Sequence, residues 1–155
     1  MVQSAARPFL LYACVVLFFL VVVHGMDAKN IRTLDEWAEL KQDDKVWMVE
    51  FYSDMCGACQ EFEATLEKIA KNNPEVSLAR VQIDNADGAA IAERIGVFDE
   101  AVPNMRLLYS TLDFNGASIF DGLEDPSADK ISGKIRRALE THNSELKNGK
   151  FYKRS

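Results

Sequence analysis

The longest unbroken apolar run of the chain, Phe9–Val23, follows a lone cation, Arg7, and gives way to His24, Gly25 and the polar stretch Asp27–Asn30. A membrane span needs about 20 such residues, so this run is short for one, but it suits the apolar core of a secretory signal peptide. Residues 1–25 are therefore expected to be a signal peptide cleaved after Gly25, with an uncleaved signal anchor as the alternative. Beyond them the pattern is that of a single folded domain over residues 26–155. Thr33-Leu34-Asp35-Glu36 spells a capping box, and Leu34, Trp37, Ala38 and Leu40 give the short helix behind it an apolar face, ending near Lys41. Val46–Tyr52 is apolar almost throughout instead of alternating, which predicts a strand buried on both faces. Phe62, Leu66, Ile69 and Ala70 then recur at helical spacing. That helix opens near Cys56 and stops before Asn73-Pro74, because the residue ahead of a proline disfavours helical geometry.

Val76–Ile83 reads as a second strand, and Asp87-Gly88 as the cap of a helix running through about Ile95, with Gly96 at its C-terminal end. Met105–Tyr109 and Ser118–Phe120 read as two further strands joined by a turn at Asn115-Gly116. Asp125-Pro126 predicts the start of a last helix that reaches about Leu146 in spite of Gly133. Lys150, Lys153 and Arg154 fall in a short, solvated polar tail. Strands alternating with helices imply parallel pairing with right-handed crossovers, and the closing hairpin adds antiparallel strands. The expected class is α/β, with a central mixed sheet of four to five strands flanked by helices.

Charge and cysteine content narrow the function. A formal net charge of −6 argues against nucleic acid as a main partner, since phosphate binding needs clustered cations. Of the 3 cysteines, Cys14 leaves with the signal peptide, and Cys56 and Cys59 remain. A disulfide across two intervening residues closes almost no loop and adds little stability. The pair is better explained by its chemistry. It follows an apolar strand and opens a helix, where the positive end of the helix dipole lowers a thiol below its usual pKa of about 8.5. Half a zinc site has the same spacing, but the chain holds no second pair to complete one. Two chains sharing a metal through these thiolates remain an alternative; no metal is expected within one chain.

The stretch Val49-Glu50-Phe51-Tyr52-Ser53-Asp54-Met55-Cys56-Gly57-Ala58-Cys59 resembles the active-site strand and turn of the thioredoxin family. It is most similar to the catalytic domains of protein disulfide isomerases. The likeness continues through Leu78–Asp84, Ile95-Gly96-Val97 and Val102-Pro103, and covers Ile31 to Leu146. The resemblance implies a thioredoxin fold with a redox-active Cys56–Cys59 disulfide. Cys56 takes the role of nucleophile and Cys59 resolves the mixed disulfide, while Gly57 and Ala58 permit the tight turn between them. Glu50 becomes a buried proton relay for Cys59, and Arg80 stands where the isomerases carry a lysine paired with that glutamate. Pro103 becomes a cis-proline facing the cysteines, and Val102 offers backbone groups to a client strand.

Three positions depart from the family pattern. Met55 replaces the usual tryptophan. Ala58 replaces the histidine of isomerases and the proline of thioredoxins, which implies a less oxidising pair. Phe98-Asp99-Glu100-Ala101 lengthens the approach to Pro103 and adds negative charge that should oppose thiolate formation. The implied activity is exchange of disulfides in cysteine-containing client proteins, with no cofactor, in the endoplasmic reticulum lumen or after secretion. A small thiol or a redox partner protein would recycle the pair, and membrane contact is expected only if the N-terminal segment is retained. The alternative is a non-catalytic module whose groove holds a client or partner. Trp37 and Trp47 read as core or groove residues, and His142 with Lys134, Arg136 and Arg137 as a solvated face.

Overall fold

A computed structural model of the chain describes residues 27–109, 112–141, 144–147 and 150–153. The signal-peptide reading of residues 1–25, Cys14, His142 and Arg154 lie outside the described residues. Along the chain run β1 (Ala28–Asn30), α1 (Leu34–Gln42), β2 (Trp47–Tyr52), α2 (Gly57–Asn72), β3 (Ser77–Gln82) and α3 (Ala86–Ile95). They are followed by β4 (Asn104–Leu108), β5 (Ala117–Phe120), α4 (Ala128–Thr141), β6 (Ser144–Lys147) and β7 (Lys150–Lys153). The main sheet has the order β1-β3-β2-β4-β5, parallel across its first three strands and antiparallel across β2-β4-β5. This is the mixed α/β sheet that the sequence pattern predicts. Its fifth strand, β1, is a three-residue polar piece, too short to show any periodicity.

β2 lies at the centre and all but its last residue, Tyr52, is buried, because helices cover both sides of the sheet. Met48 packs with Phe62, Leu66 and Ile69 of α2 and with Ile131 and Ile135 of α4. Trp47, Val49 and Phe51 pack on the other side with Trp37 and Leu40 of α1 and Ile91 and Ile95 of α3. Each large apolar side chain so buried contributes about 1.5–3 kcal/mol relative to leaving it exposed. Phe62 stacks flat on Phe120 with ring centroids 5.1 Å apart, which ties α2 to β5. Trp37 donates its indole N–H to the carbonyl of Phe114 over 3.0 Å, while Leu34 stays mostly outside the core.

Several boundaries differ from the sequence reading. The cap of α3 is Asn85, whose side chain accepts the N–H of Gly88 at 2.8 Å, so Asp87 and Gly88 lie inside the first turn. Gly96 does end α3 in the left-handed region, at φ 84. α4 starts later than Asp125-Pro126. The Asp125 carboxylate is held by Lys130 at 2.6 Å, and the first helical bond runs from the N–H of Ile131 to the carbonyl of Ser127. It also ends earlier, at Thr141, and Ser144–Lys147 pairs antiparallel with Lys150–Lys153. The final turn of helix and the solvated tail are thus replaced by a hairpin. Asn148-Gly149, a strong hairpin dipeptide, lies between its strands in sequence, and that local signal outweighs the helical spacing of the preceding residues.

Candidate active site

The end of β2 and the start of α2 set the cysteines. Cys56 is the N-cap of α2, with an extended backbone, and its sulfur accepts the N–H of Cys59 at 3.1 Å. That position is normally filled by Ser, Thr, Asp or Asn, whose oxygen satisfies an otherwise unpaired N–H of the first turn. A sulfur there is offered the same donor, and an anionic sulfur gains most from it. Cys56 and Cys59 are joined by a disulfide, with Cα atoms 5.2 Å apart. Cys59 is 4 % exposed and Cys56 half-buried, so the outer sulfur is the one a second chain can reach. Gly57 and Ala58 are exposed between them, and nothing lies within 4 Å of where a side chain on Gly57 would begin.

The loop leading into the pair is fixed from β3's end. Asp84 accepts the Ser53 hydroxyl at 2.5 Å and the Asp54 N–H at 2.7 Å, and Ser53 in turn accepts the N–H of Met55 at 3.1 Å. The side chain of Gln82 donates to Asp54, and that of Gln60 to the Asp54 carbonyl. Met55, at the position of the family's tryptophan, is 87 % exposed.

Glu50 is fully buried in β2, on the strand face that carries Met48 toward α2 and α4. The parallel register places it opposite Arg80 of β3, whose Nε donates to Glu50 Oε2 at 2.6 Å. The other two guanidinium nitrogens form a fork on Glu63 of α2, at 3.1 and 2.9 Å, and the guanidinium carbon lies 4.2 Å from the Tyr52 ring centroid. Glu50 Oε1 is buried with no hydrogen-bond partner. Burial pushes the Glu50 carboxyl up to about 7 from an ordinary 4.5, against the lowering pull of Arg80, while the charge of Glu63 adds to the rise. Cys59 precedes Glu63 by one helical turn, so both occupy the same side of α2.

The peptide between Val102 and Pro103 is cis, and the Val102 carbonyl lies 3.7 Å from Cys56 Sγ. The lengthened approach to this pair does not simply add negative charge. Glu100 spans two partners, the side-chain amide of Asn104 at 2.6 Å and Nη2 of Arg106 at 2.9 Å, so its charge is matched by a buried guanidinium of β4. Gly122 holds the segment from the other side. At φ 80 it presses against the chain so closely that a Cβ would meet the Ala101 carbonyl at 2.8 Å and the Pro103 oxygen at 2.9 Å. The N–H of Ala101 also donates to the carbonyl of Asp121 at 3.0 Å. Glu63, Asn104, Arg106 and Gly122 did not stand out in the sequence, and Glu100 did so only as part of an acidic segment. Helical spacing from Cys59 could have flagged Glu63, and the Asp121-Gly122 turn signal could have flagged Gly122.

Three loops therefore meet around Cys56 and Val102, and each carries an exposed large apolar side chain: Met55, Phe98 and Leu123. Among the described residues no group of three or more metal-ligating side chains is present, and no helix is long and apolar enough to cross a membrane.

The sequence matches the Thioredoxin family model over residues 30–125. It is 29 % identical over 133 residues to Protein disulfide-isomerase TMX3 of Homo sapiens, covering 83 % of this chain and 28 % of that protein. Against the Protein disulfide-isomerase A6 homolog of Drosophila melanogaster it is 27 % identical over 106 residues, covering 65 % of this chain and 24 % of that one. The chain thus spans about a quarter of the length of these curated relatives. Among solved structures, thioredoxin from Trypanosoma brucei brucei superposes with a TM-score of 0.58 at 19 % identity, over 74 % of this chain and 93 % of that one. That likeness establishes the fold.

Proposed function

The chain belongs to the thioredoxin family and is a disulfide oxidoreductase of that fold, and on this premise we propose that it acts in the secretory pathway as a protein disulfide isomerase-like enzyme. The carrying observation is the Cys56–Cys59 disulfide at the N-terminus of α2, with its outer sulfur against the Val102 carbonyl. In the reductive direction the Cys56 thiolate attacks a client disulfide. One client sulfur leaves with the bonding electron pair and takes up a proton, and the other is held in a mixed disulfide. Cys59 then gives its proton to Glu50 and attacks Cys56 Sγ, which releases the second client sulfur as a thiolate. The client is reduced by two electrons and the pair is oxidised. Run backwards from the oxidised pair, the same steps install a disulfide in a client dithiol.

The backbone of Val102 offers an extended client a strand-like contact that does not depend on its side chains. Met55, Phe98 and Leu123 are exposed apolar side chains on these loops, of a kind that an unfolded chain can contact. The leader-like run Phe9–Val23 and the disulfide-isomerase relatives support the compartment. The roles divide under mutation. Cys59→Ser should accumulate mixed disulfides with client proteins, Cys56→Ser should trap few, and the unmutated domain should reduce insulin with dithiothreitol as electron source. Equal trapping by both variants, or trapping by neither, would remove the assigned roles. Client retention without turnover would leave a binding module.

A further inference from the structure

Arg80 serves two carboxylates at once, and the division is unequal. Glu63 takes two guanidinium nitrogens in a fork, the stronger geometry, while Glu50 receives the third, Nε, alone. The ring of Tyr52 backs the guanidinium, so it is held from three directions. One cation thus faces two anions. Of these, Glu63 is 44 % exposed in its side chain and stays in contact with water, whereas Glu50 is wholly buried. Glu50 is left with one bonded oxygen and one empty acceptor.

We propose that Glu63 is a positioning residue for proton transfer, drawing Arg80 into a shared triad so that Glu50 stays basic enough to take the Cys59 proton on Oε1 and return it. This deepens the relay reading above and rests on it. An arginine paired with Glu50 alone would hold the carboxylate ionised and leave it a poor base. The groups facing Glu50 are few. β3 brings Arg80, α2 brings Glu63 and carries Cys59 one turn before it, β2 carries Tyr52 on the same strand face, β4 sets the apolar Met105 opposite in register, and α4 packs that face with the apolar Ile131 and Ile135. Glu63 is therefore the one side chain of this set whose charge opposes Arg80 from the solvent side. Its effect agrees with the raised Glu50 carboxyl, to which the Glu63 charge adds.

The test uses the full oxidised protein, whose joined cysteines do not titrate, with Glu50 followed by carbon NMR of its labelled carboxyl. Glu63→Gln keeps the shape and one acceptor for Arg80 but removes the charge, and should lower the Glu50 midpoint by about one pH unit. Arg80→Gln should raise it. An unchanged or raised midpoint in Glu63→Gln overturns the proposal, the latter because Glu63 would then be pressing Arg80 onto Glu50. Single-turnover resolution of a Cys56–client mixed disulfide is the second readout. Its acidic limb should move to lower pH by the same amount, with a lower plateau rate, which lost stability alone would not produce. A shifted Glu50 midpoint with an unmoved kinetic limb would uphold the triad and instead refute Glu50 as the base for Cys59.

Discussion

Two carboxylate–arginine clusters lie near the cysteine pair, one on each face of the sheet, and they are satisfied in opposite ways. In the first, every nitrogen of Arg80 has a carboxylate partner, and the unpaired atom is Oε1 of Glu50. In the second, both oxygens of Glu100 are taken, and the unpaired atoms are Nε of Arg106 and Oδ1 of Asn104. A carboxylate with a free buried acceptor can gain a proton in place, whereas one with both oxygens engaged must break a bond to do so. The same residue types therefore leave one carboxylate beside α2 able to take up a proton and make of the other a fastening for the Val102-Pro103 segment.

The comparison can be broken by exchanging each glutamate in turn. Glu50→Gln should slow resolution of a client mixed disulfide by about a hundredfold at neutral pH, the scale of a lost general base. The protein should still fold and still form the mixed disulfide at close to its original rate. A resolution rate within a factor of a few of the parent would show that water, not Glu50, takes the Cys59 proton.

Stability against pH should separate the clusters next. Because the Glu50 carboxyl is raised from 4.5 to about 7, the folded state holds this proton more tightly than the unfolded chain does. Its contribution is fully present below about 4.5 and is lost as pH rises through about 7. The loss amounts to about 3 kcal/mol. Denaturant midpoints of the oxidised protein should fall over this window, and Glu50→Gln should remove that part of the fall. A parent curve that is flat or rises between these limits would contradict the buried, proton-retaining carboxyl.

Glu100→Ala should behave differently. It leaves the guanidinium of Arg106 and the amide of Asn104 without their shared partner, at a cost of about 2 kcal/mol, read at a single pH by urea unfolding. If Val102 and Pro103 present the client-binding backbone, as proposed, its kinetic effect should fall on KM, with kcat per folded molecule little changed. A drop confined to kcat would move Glu100 into the chemistry and erase the distinction.

The smallest expected effect lies between the clusters, at the helix N-terminus. Ala58→His would place a partial positive charge beside Cys56 and favour the reduced form. The reduction potential against glutathione should rise by about 30 mV, one factor of ten for a two-electron couple. The alkylation rate of Cys56 against pH should report a more acidic thiol. If neither moves, the redox poise is set elsewhere, and the triad of Arg80 is the first place to look.

The sequence carried the central strand, the cysteine turn and the helix behind it, because each rests on a pattern confined to a few neighbouring residues. Val46–Tyr52 is apolar without alternation, and a strand covered on both sides is the economical way to bury it. Cys56 falls where a strand pattern yields to a helical one, so its capping position follows from local geometry alone. The same locality explains the errors. Ala28–Asn30 becomes a strand only because β3 lies beside it, and Asp87-Gly88 resembles a cap until Asn85 is seen to hold the N–H of Gly88.

What the tertiary structure alone decided is which charges share a partner. Glu50 and Arg80 stand opposite one another through the parallel register of β2 and β3, across 30 positions of chain, and Glu63 joins them because α2 packs over that pair. Glu100 appears in the sequence as added negative charge near the cysteines, yet it is matched by Arg106 once β4 turns back along β2. Gly122 did not stand out in the sequence, and only the fold brings it against the Ala101–Pro103 backbone. Local periodicity specifies where the chain buries its apolar side chains. The proton affinity of a buried carboxylate depends on every charge within a few ångströms, and only the folded register sets those distances.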